Sequence, residues 1–381
     1  MFHFYRDIKL GILGGGQLGR MLIQAAVDFN IHIRVIDPVK EAPCRYLAHE
    51  FVQGSLTDYD SVYQFGQGCD ILTIEIEHVN TQALEALQKA GKTVYPDPKI
   101  IRLIQNKRKQ KQFYAAHGLP TAPFHLVENR AEVKQYEHFL PAVNKLGEAG
   151  YDGRGVQVLR DASAFDKAFD APGLIEKFVD FEKELAVIVA RNADGEIRSF
   201  PLVEMVSHPE HNLVEYLLSP ANVSKEHTSR ANEIAQQLVE KLDFVGLLAI
   251  ELFLTAEGEI LINEIAPRPH NSGHHSIRSC ATSQYEQHLR AIFNLPLGAT
   301  DSLCPAAMVN LLGESGHTGP VRYEGIEQIL AIEGVYPHFY GKTTTKPHRK
   351  MGHITILEKD SNKMKEKIAK VRQGLRVLSE S

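Results

Sequence analysis

Two carboxylates in the segment ELFLTAEGEILINEIAPRPHNSGH, residues 251–274, have the spacing for divalent-cation chemistry. The runs Leu248–Leu254 and Ile260–Ile265 alternate apolar and polar residues around Ala256-Glu257-Gly258-Glu259, which reads as a β-hairpin. Pairing Thr255 with Ile260 across the turn sets Glu251 directly opposite Glu264 on one face. Carboxylates in that relation repel each other, and a divalent cation with oxygen ligands is the natural compensation. Asn263 adds a neutral oxygen beside them. The hairpin runs on into Arg268, His270, Asn271 and His274, a polar stretch punctuated by Pro267, Pro269 and Gly273. The competing reading is a solvent-facing hairpin, and a one-residue slip puts the two glutamates on opposite faces.

Further groups have the chemistry of a phosphate site. Lys145 follows the apolar stretch Phe139–Val143 and precedes Gly150-Tyr151-Asp152-Gly153-Arg154-Gly155. A strand lysine can neutralise phosphates while backbone N–H groups of a glycine-rich loop cover them. The loop is not a Walker A motif, because G-K-[ST] is absent. The strand Leu174–Val179, with Glu184 beyond it, offers an edge and a carboxylate for an adenine and its ribose. In the last quarter of the chain Lys342, Arg349 and Lys350 form a basic cluster that suggests an anionic ligand. The run Asn106–Lys111 reads as a solvated helix face. His208 and His211 read as a loop contact or plain surface. Gly14-Gly15-Gly16-Gln17-Leu18-Gly19, with Asp37 after the next strand, opens a dinucleotide-binding alternative.

These residues need a large scaffold, and 381 residues suffice for two or three domains. Hydrophobic residues at 43% and charged ones at 23% are ordinary for a globular chain. A net charge of −5 argues against a general affinity for nucleic acid or anionic lipid. No apolar run reaches membrane-span length, no signal-peptide pattern is expected, and four scattered cysteines read as thiols of a reducing cytosol. From residue 8 to about 96, strands and helices alternate, with strands at Lys9–Leu13, His32–Ile36 and Ile71–Ile76. That order predicts a doubly wound parallel sheet. Asp97-Pro98 marks a boundary. A basic helix is expected over Lys99–His117, then an α+β region to about 295. A small β-rich part should end in a helix over Asn362–Leu378.

A lysine before a glycine loop, an E-K-F-V connector, Glu184 and two hairpin carboxylates resemble the ATP-grasp superfamily. G-G-G-Q-L-G-R-M at 14–21, T-I-E-I-E-H-V at 73–79, L-P-T-A-P at 119–123, G-Y-D-G-R-G at 150–155, A-P-R-P-H-N-S-G-H at 266–274 and K-M-G-H at 350–353 are similar to the N5-carboxyaminoimidazole ribonucleotide synthase family. The motifs run in order through essentially the whole chain.

The resemblance implies a three-domain fold: a Rossmann-like domain over 1–96, an ATP-grasp domain over 97–295 with a lid at about 121–185, and a C-terminal domain over 296–381. It implies carboxylation of 5-aminoimidazole ribonucleotide with ATP and bicarbonate, through carboxyphosphate, by a cytosolic homodimer. Mg²⁺, or Mn²⁺, would sit on Glu251 and Glu264. ATP would be held by Lys107, Lys145, Gly150 to Val156, Glu176, Lys177, Phe178, Val179, Glu184, His208, Asn263 and Glu264. Tyr151, Asp152, Arg268 and His270 would serve the chemistry. Gln17, Glu75, Arg268, Asn271, Lys342, Arg349 and Lys350 would hold the ribonucleotide. The formate-using transformylase of the same superfamily and a non-catalytic nucleotide-binding module are the remaining alternatives.

Overall fold

The computed structural model describes residues 8–148, 155–207 and 214–380. Gly150, Tyr151, Asp152, Gly153, Arg154 and His208 lie outside the described residues. The first domain contains β1 (Lys9–Leu13), α1 (Gln17–Val27), β2 (His32–Asp37), β3 (Glu50–Gln53), α2 (Tyr59–Gln67), β4 (Ile71–Ile74), α3 (Thr81–Lys89) and β5 (Thr93–Val94). Its strands form the expected all-parallel sheet, in the order β3-β2-β1-β4-β5. Asp58 and Asn80 cap α2 and α3, each accepting a hydrogen bond from a backbone N–H of the first turn.

The basic segment after Asp97 is two helices, α4 (Pro98–Ile104) and α5 (Lys107–Ala116), not one. Asp97 caps α4 with Pro98 in its first turn, and the Asn106 side chain accepts from Lys109 N at 3.1 Å to start α5. That second cap makes Lys107 a first-turn residue, aimed into the molecule rather than along a solvated face.

Next come β6 (Phe124–Val127), α6 (Arg130–Val133), β7 (Ala142–Leu146), β8 (Val156–Leu159) and β9 (Gly173–Lys177). These four strands form an antiparallel sheet in the order β6-β9-β7-β8. The following elements are β10 (Phe181–Arg191), β11 (Ile197–Ser199), β12 (Val203–Ser207), β13 (Val214–Ser219), α7 (Lys225–Lys241), β14 (Gly246–Thr255), β15 (Ile260–Ala266), α8 (Ser276–Ser279) and α9 (Gln284–Ile292). The last are β16 (Ala306–Leu312), β17 (Gly319–Glu324), α10 (Ile326–Leu330), β18 (Val335–Phe339), β19 (Thr344–Thr345), β20 (Lys350–Leu357), α11 (Ser361–Gly374) and β21 (Arg376–Ser379).

The C-terminal strands do not stand apart. β13 pairs with β16, so β16, β20 and β18 extend the sheet that begins at β15 and β14. The final helix also ends earlier than its pattern suggests, at Gly374. Arg376–Ser379 instead forms β21 against β17, which buries Val377 and Leu378. On the other side Leu18, Met21 and Leu22 of α1 pack with Tyr285, Leu289 and Ile292 of α9. The first domain is thereby joined to the central one through an apolar seam.

The glycine turn after β1 is shaped by a carboxylate. Gly14 has φ +102°, and a Cβ there would stand 2.5 Å from Glu75 Cγ. Gly14→Ala is therefore expected to destabilise the protein by about 2 kcal/mol, read as a lowered denaturant midpoint. An unchanged midpoint would contradict this account of the turn.

Candidate active site

The hairpin brings Glu251 and Glu264 opposite each other, by a route the alternation does not show. Leu254, not Thr255, pairs with Ile260, so the turn is one residue out of the expected register. Carried through, that slip would separate the glutamates. A β-bulge between Leu252 and Glu251 cancels it: Leu252 pairs with Ile262, Glu251 with Glu264, and Asn263 is the extra residue. Two consecutive residues of β15 then oppose one of β14. Both reach the same cluster, with Lys145 Nζ donating to Asn263 Oδ1 at 3.1 Å and Lys107 Nζ to Glu264 Oε2 at 2.5 Å.

Different surroundings push the two carboxyls in opposite directions. Burial, then the charges of Glu264 and Glu184, push Glu251 up to about 8. Lys107 holds Glu264 down at about 2. Burial works to lower Lys107, but the adjacent Glu264 outweighs it and the ammonium is raised. Among the described residues there is no group of three or more His, Cys, Asp or Glu able to enclose a metal ion. Two hard oxygen donors beside a phosphate-binding surface fit Mg²⁺, which binds through one or two carboxylates and substrate phosphates.

Beside this pair lies a buried triad. The Glu176 carboxylate takes Lys145 Nζ at 2.5 Å and Lys111 Nζ at 2.7 Å. All three side chains are buried. Burial acts to raise Glu176, but the two lysines outweigh it and hold it below the usual carboxylate range. Burial pulls Lys111 down. Lys111 also donates to Thr121 Oγ1 at 2.6 Å, and Thr121 in turn donates to Ile262 O at 2.9 Å, next to the bulge. Lys107, Lys111, Lys145, Asn263 and Glu264, with Gln110, Tyr114 and Leu174, line one pocket. Gly155 and Val156 adjoin it: Gly155 O accepts from Leu146 N at 2.9 Å, and Val156 pairs with Lys145.

Other expected nucleotide contacts are distributed unevenly. Glu184 accepts from Ser207 Oγ at 3.0 Å and pairs across β10–β14 with Phe253. It shares the sheet face of Glu251, two residues along. Burial raises its pKa. The Glu176 carboxylate is taken up by the two lysines, which leaves its backbone as the part that could line a base. The Lys177 ammonium donates to Phe139 O and Leu140 O at 3.1 and 3.2 Å, which makes it a tie within the small sheet. Lys177 N and Phe178 N donate to Pro123 O and Pro141 O.

On the far side of Glu251 the tail of the hairpin begins. His270 Nε2 lies 3.5 Å from Glu251 Oε1. Burial first, then Arg268 and Lys350, push His270 down to about 3, so the imidazole is neutral. Arg268 pairs with Glu77 at 2.8 Å. Asn271 Oδ1 is buried without a partner among the described residues, an acceptor available to a ligand. Lys342 Nζ donates to Lys350 O at 2.6 Å, while Arg349 braces the Thr344 carbonyl at 2.7 Å.

The glycine loop is already satisfied from within. Gly16 N and Gly19 N donate to Glu75 at 2.8 and 3.0 Å, and Gly15 N donates to Asp37 at 2.7 Å. The donors that would cradle a pyrophosphate are engaged, and Asp37 is not a ribose ligand. The dinucleotide alternative fails on this geometry. Burial raises the pKa of Glu75 against the pull of the Gly19 and Gly16 hydrogen bonds and of the Arg268 charge.

Comparison with known proteins agrees. Family models match as a ribonucleotide synthetase preATP-grasp domain over 8–105, an ATP-grasp domain over 112–285 and a phosphoribosylaminoimidazole carboxylase C-terminal domain over 306–367. The N5-carboxyaminoimidazole ribonucleotide synthase of Bacillus subtilis is 38% identical over 360 residues, 93% of this chain and 92% of that protein. This chain belongs to the N5-carboxyaminoimidazole ribonucleotide synthase family. The synthetase structure from Thermotoga maritima superposes with a TM-score of 0.90 at 41% identity, covering 98% of this chain and all of that one (100%). An Aspergillus clavatus synthase, solved with ADP and 5-aminoimidazole ribonucleotide, gives 0.88 at 34% identity, over 96% of this chain and 98% of that one.

Within this synthase family frame, three features were missed in the sequence. Lys111 is hidden in a charge run, although its i, i+4 relation to Lys107 places both on one helix face. Phe253 stacks on Phe181 with centroids 4.6 Å apart, an apolar plate beside Glu184. Period-two counting from Glu251 would have found it. Arg20 of α1 lies against the C-terminal strands, since a Cβ on Gly341 would stand 2.9 Å from Arg20 Nη1. No local signal announces that contact. Lys111→Met leaves Glu176 one counter-ion short in a buried site. The expected loss is about 3 kcal/mol of stability together with a raised KM for ATP. Unchanged thermal unfolding and ATP kinetics would contradict the triad's role.

Proposed function

We propose that this chain carboxylates 5-aminoimidazole ribonucleotide with ATP and bicarbonate, giving N5-carboxyaminoimidazole ribonucleotide, ADP and phosphate. The observation that carries the reading is the opposed Glu251–Glu264 pair, with lysines on one side and His270, Arg268 and Lys350 on the other. The functional division follows the family frame: 1–96, 97–295 with a lid at about 121–185, and 296–381. Free thiols and ordinary surface charge support a cytosolic enzyme, and a homodimer is its expected assembly.

A bicarbonate oxygen attacks the γ-phosphorus, the bond to ADP breaks, and carboxyphosphate forms. The exocyclic amine of the ribonucleotide then attacks the carboxyl carbon, phosphate leaves, and the nitrogen loses a proton. Phosphoryl transfer of this kind depends on positioning and charge neutralisation more than on a covalent nucleophile. Lys107 and Lys145 neutralise phosphates. Glu251 and Glu264 would hold Mg²⁺, which supplies further neutralisation of the phosphate oxygens. Glu184 and Phe253 take the ribose and base side. Arg268, Asn271, Gln17, Glu75, Lys342 and Lys350 orient the acceptor, with Arg349 behind them. Neutral His270 can offer or accept a hydrogen bond at the transferred carboxyl. Gly150 to Gly155, with Tyr151 and Asp152, would serve in the family frame to exclude water from carboxyphosphate.

ADP release is expected to require both the ribonucleotide and bicarbonate, with no replacement by formate and glycinamide ribonucleotide. Full ADP formation without either substrate would overturn the reading. Glu264→Gln should lower turnover at least about 100-fold while leaving thermal unfolding in place, and chelation of Mg²⁺ should stop the wild type. Unchanged kinetics in that variant would remove the metal assignment.

A further inference from the structure

A fully buried amide holds the acceptor side of the cleft in place. Gln284 is 0% exposed and opens α9. Its Oε1 accepts from His270 N at 2.9 Å. A backbone N–H can only donate, so this bond fixes the orientation of the amide. Nε2 then donates to His270 O at 2.8 Å and to His274 Nδ1 at 3.1 Å, using both its hydrogens. Gln284 therefore pairs with both backbone groups of the residue that faces Glu251. Gly273 allows the approach, because a Cβ there would stand 2.4 Å from Gln284 Oε1.

The same bonds define His274. Nδ1 accepts from Gln284, and Tyr285 Oη lies 3.0 Å from the same atom. The proton of the neutral ring is thus on Nε2. The His274 ring lies 4.8 Å from that of His353 on β20, the strand that begins at Lys350. His338 also stacks on His353, with ring centroids 4.6 Å apart, and the His353 Nδ1 meets Tyr340 Oη at 2.9 Å. Tyr340 stands two residues before Lys342, which donates to Lys350 O. Two hydrogen-bonded groups, one at the His270 backbone and one at the Lys350 strand, thus meet at the His274–His353 ring contact, where His353 Nε2 has no hydrogen-bond partner among the described residues. Breaking either buried group leaves further polar atoms unpaired, which is costly. Apolar side chains would fill the same seam with less demand on geometry.

We propose that Gln284 and His274 are positioning residues, setting His270 and the Lys350 strand in register over the acceptor without touching reacting atoms. This rests on the reading that Arg268, His270 and Lys350 hold the ribonucleotide. Steady-state kinetics of the full chain test it. Gln284→Leu and His274→Phe should each raise KM for the ribonucleotide about tenfold, with KM for ATP within about twofold of wild type. His274→Asn, which keeps an acceptor near the Nδ1 position, should recover most of that loss. Combined with Lys350→Ala, His274→Phe should add less than its separate effect, because the two act on one unit. Both KM values rising together, or fully multiplicative effects, would overturn the positioning role. A Lys350→Ala variant with unchanged ribonucleotide KM would instead overturn the acceptor-site reading beneath it, and the inference with it.

Discussion

The repulsion between Glu251 and Glu264 organises this molecule. Two carboxyls set against each other on one sheet face, and partly withdrawn from solvent, cannot both ionise cheaply without cations around them. Lys107 supplies one at 2.5 Å. Lys145 lies one residue away on Asn263, and the remaining demand fits a divalent ion shared with phosphates. The lysines in turn need restraint when no phosphate is present, and Glu176 provides it from inside the protein. The helix cap at Asn106 and the bulge at Asn263 bring these charges within reach of one another.

A second constraint is the seam between the three parts of the chain. The loop after β1 resembles a phosphate cradle, yet its N–H groups are answered by Glu75 and Asp37. The first domain therefore fills this loop with side-chain carboxylates and leaves none of these three backbone donors bare. The continuous sheet through β13 and β16 carries the basic strand to the same place. His270, His274 and His353 are kept neutral by burial, so they can order this junction by hydrogen bonding without adding charge to it.

Much of this was legible in residue types. Apolar alternation located the hairpin, and the carboxylates at 251 and 264 pointed to each other. The parallel first domain followed from strand–helix alternation. The turn register was off by one, and the bulge that corrects it has no local signature, because Asn263 fits a regular strand equally well. Lys111 was hidden for a related reason: a lysine in a basic run looks solvated until its distant partner, Glu176, is known. The joining of the C-terminal strands to the central sheet and the Arg20–Gly341 contact are long-range pairings, which short-range periodicity does not encode. The helix end at Gly374 was missed because Val377 and Leu378 continue an apolar pattern that β21 uses instead.

The central claim is that the opposed glutamates hold a divalent cation together with the nucleotide. Mn²⁺ binding followed by electron paramagnetic resonance, with and without ADP, tests it directly. The account predicts that ADP strengthens Mn²⁺ binding in the wild type and that Glu251→Gln and Glu264→Gln each weaken the nucleotide-dependent part by at least about tenfold. Equal Mn²⁺ binding by all three proteins in the presence of ADP would contradict it.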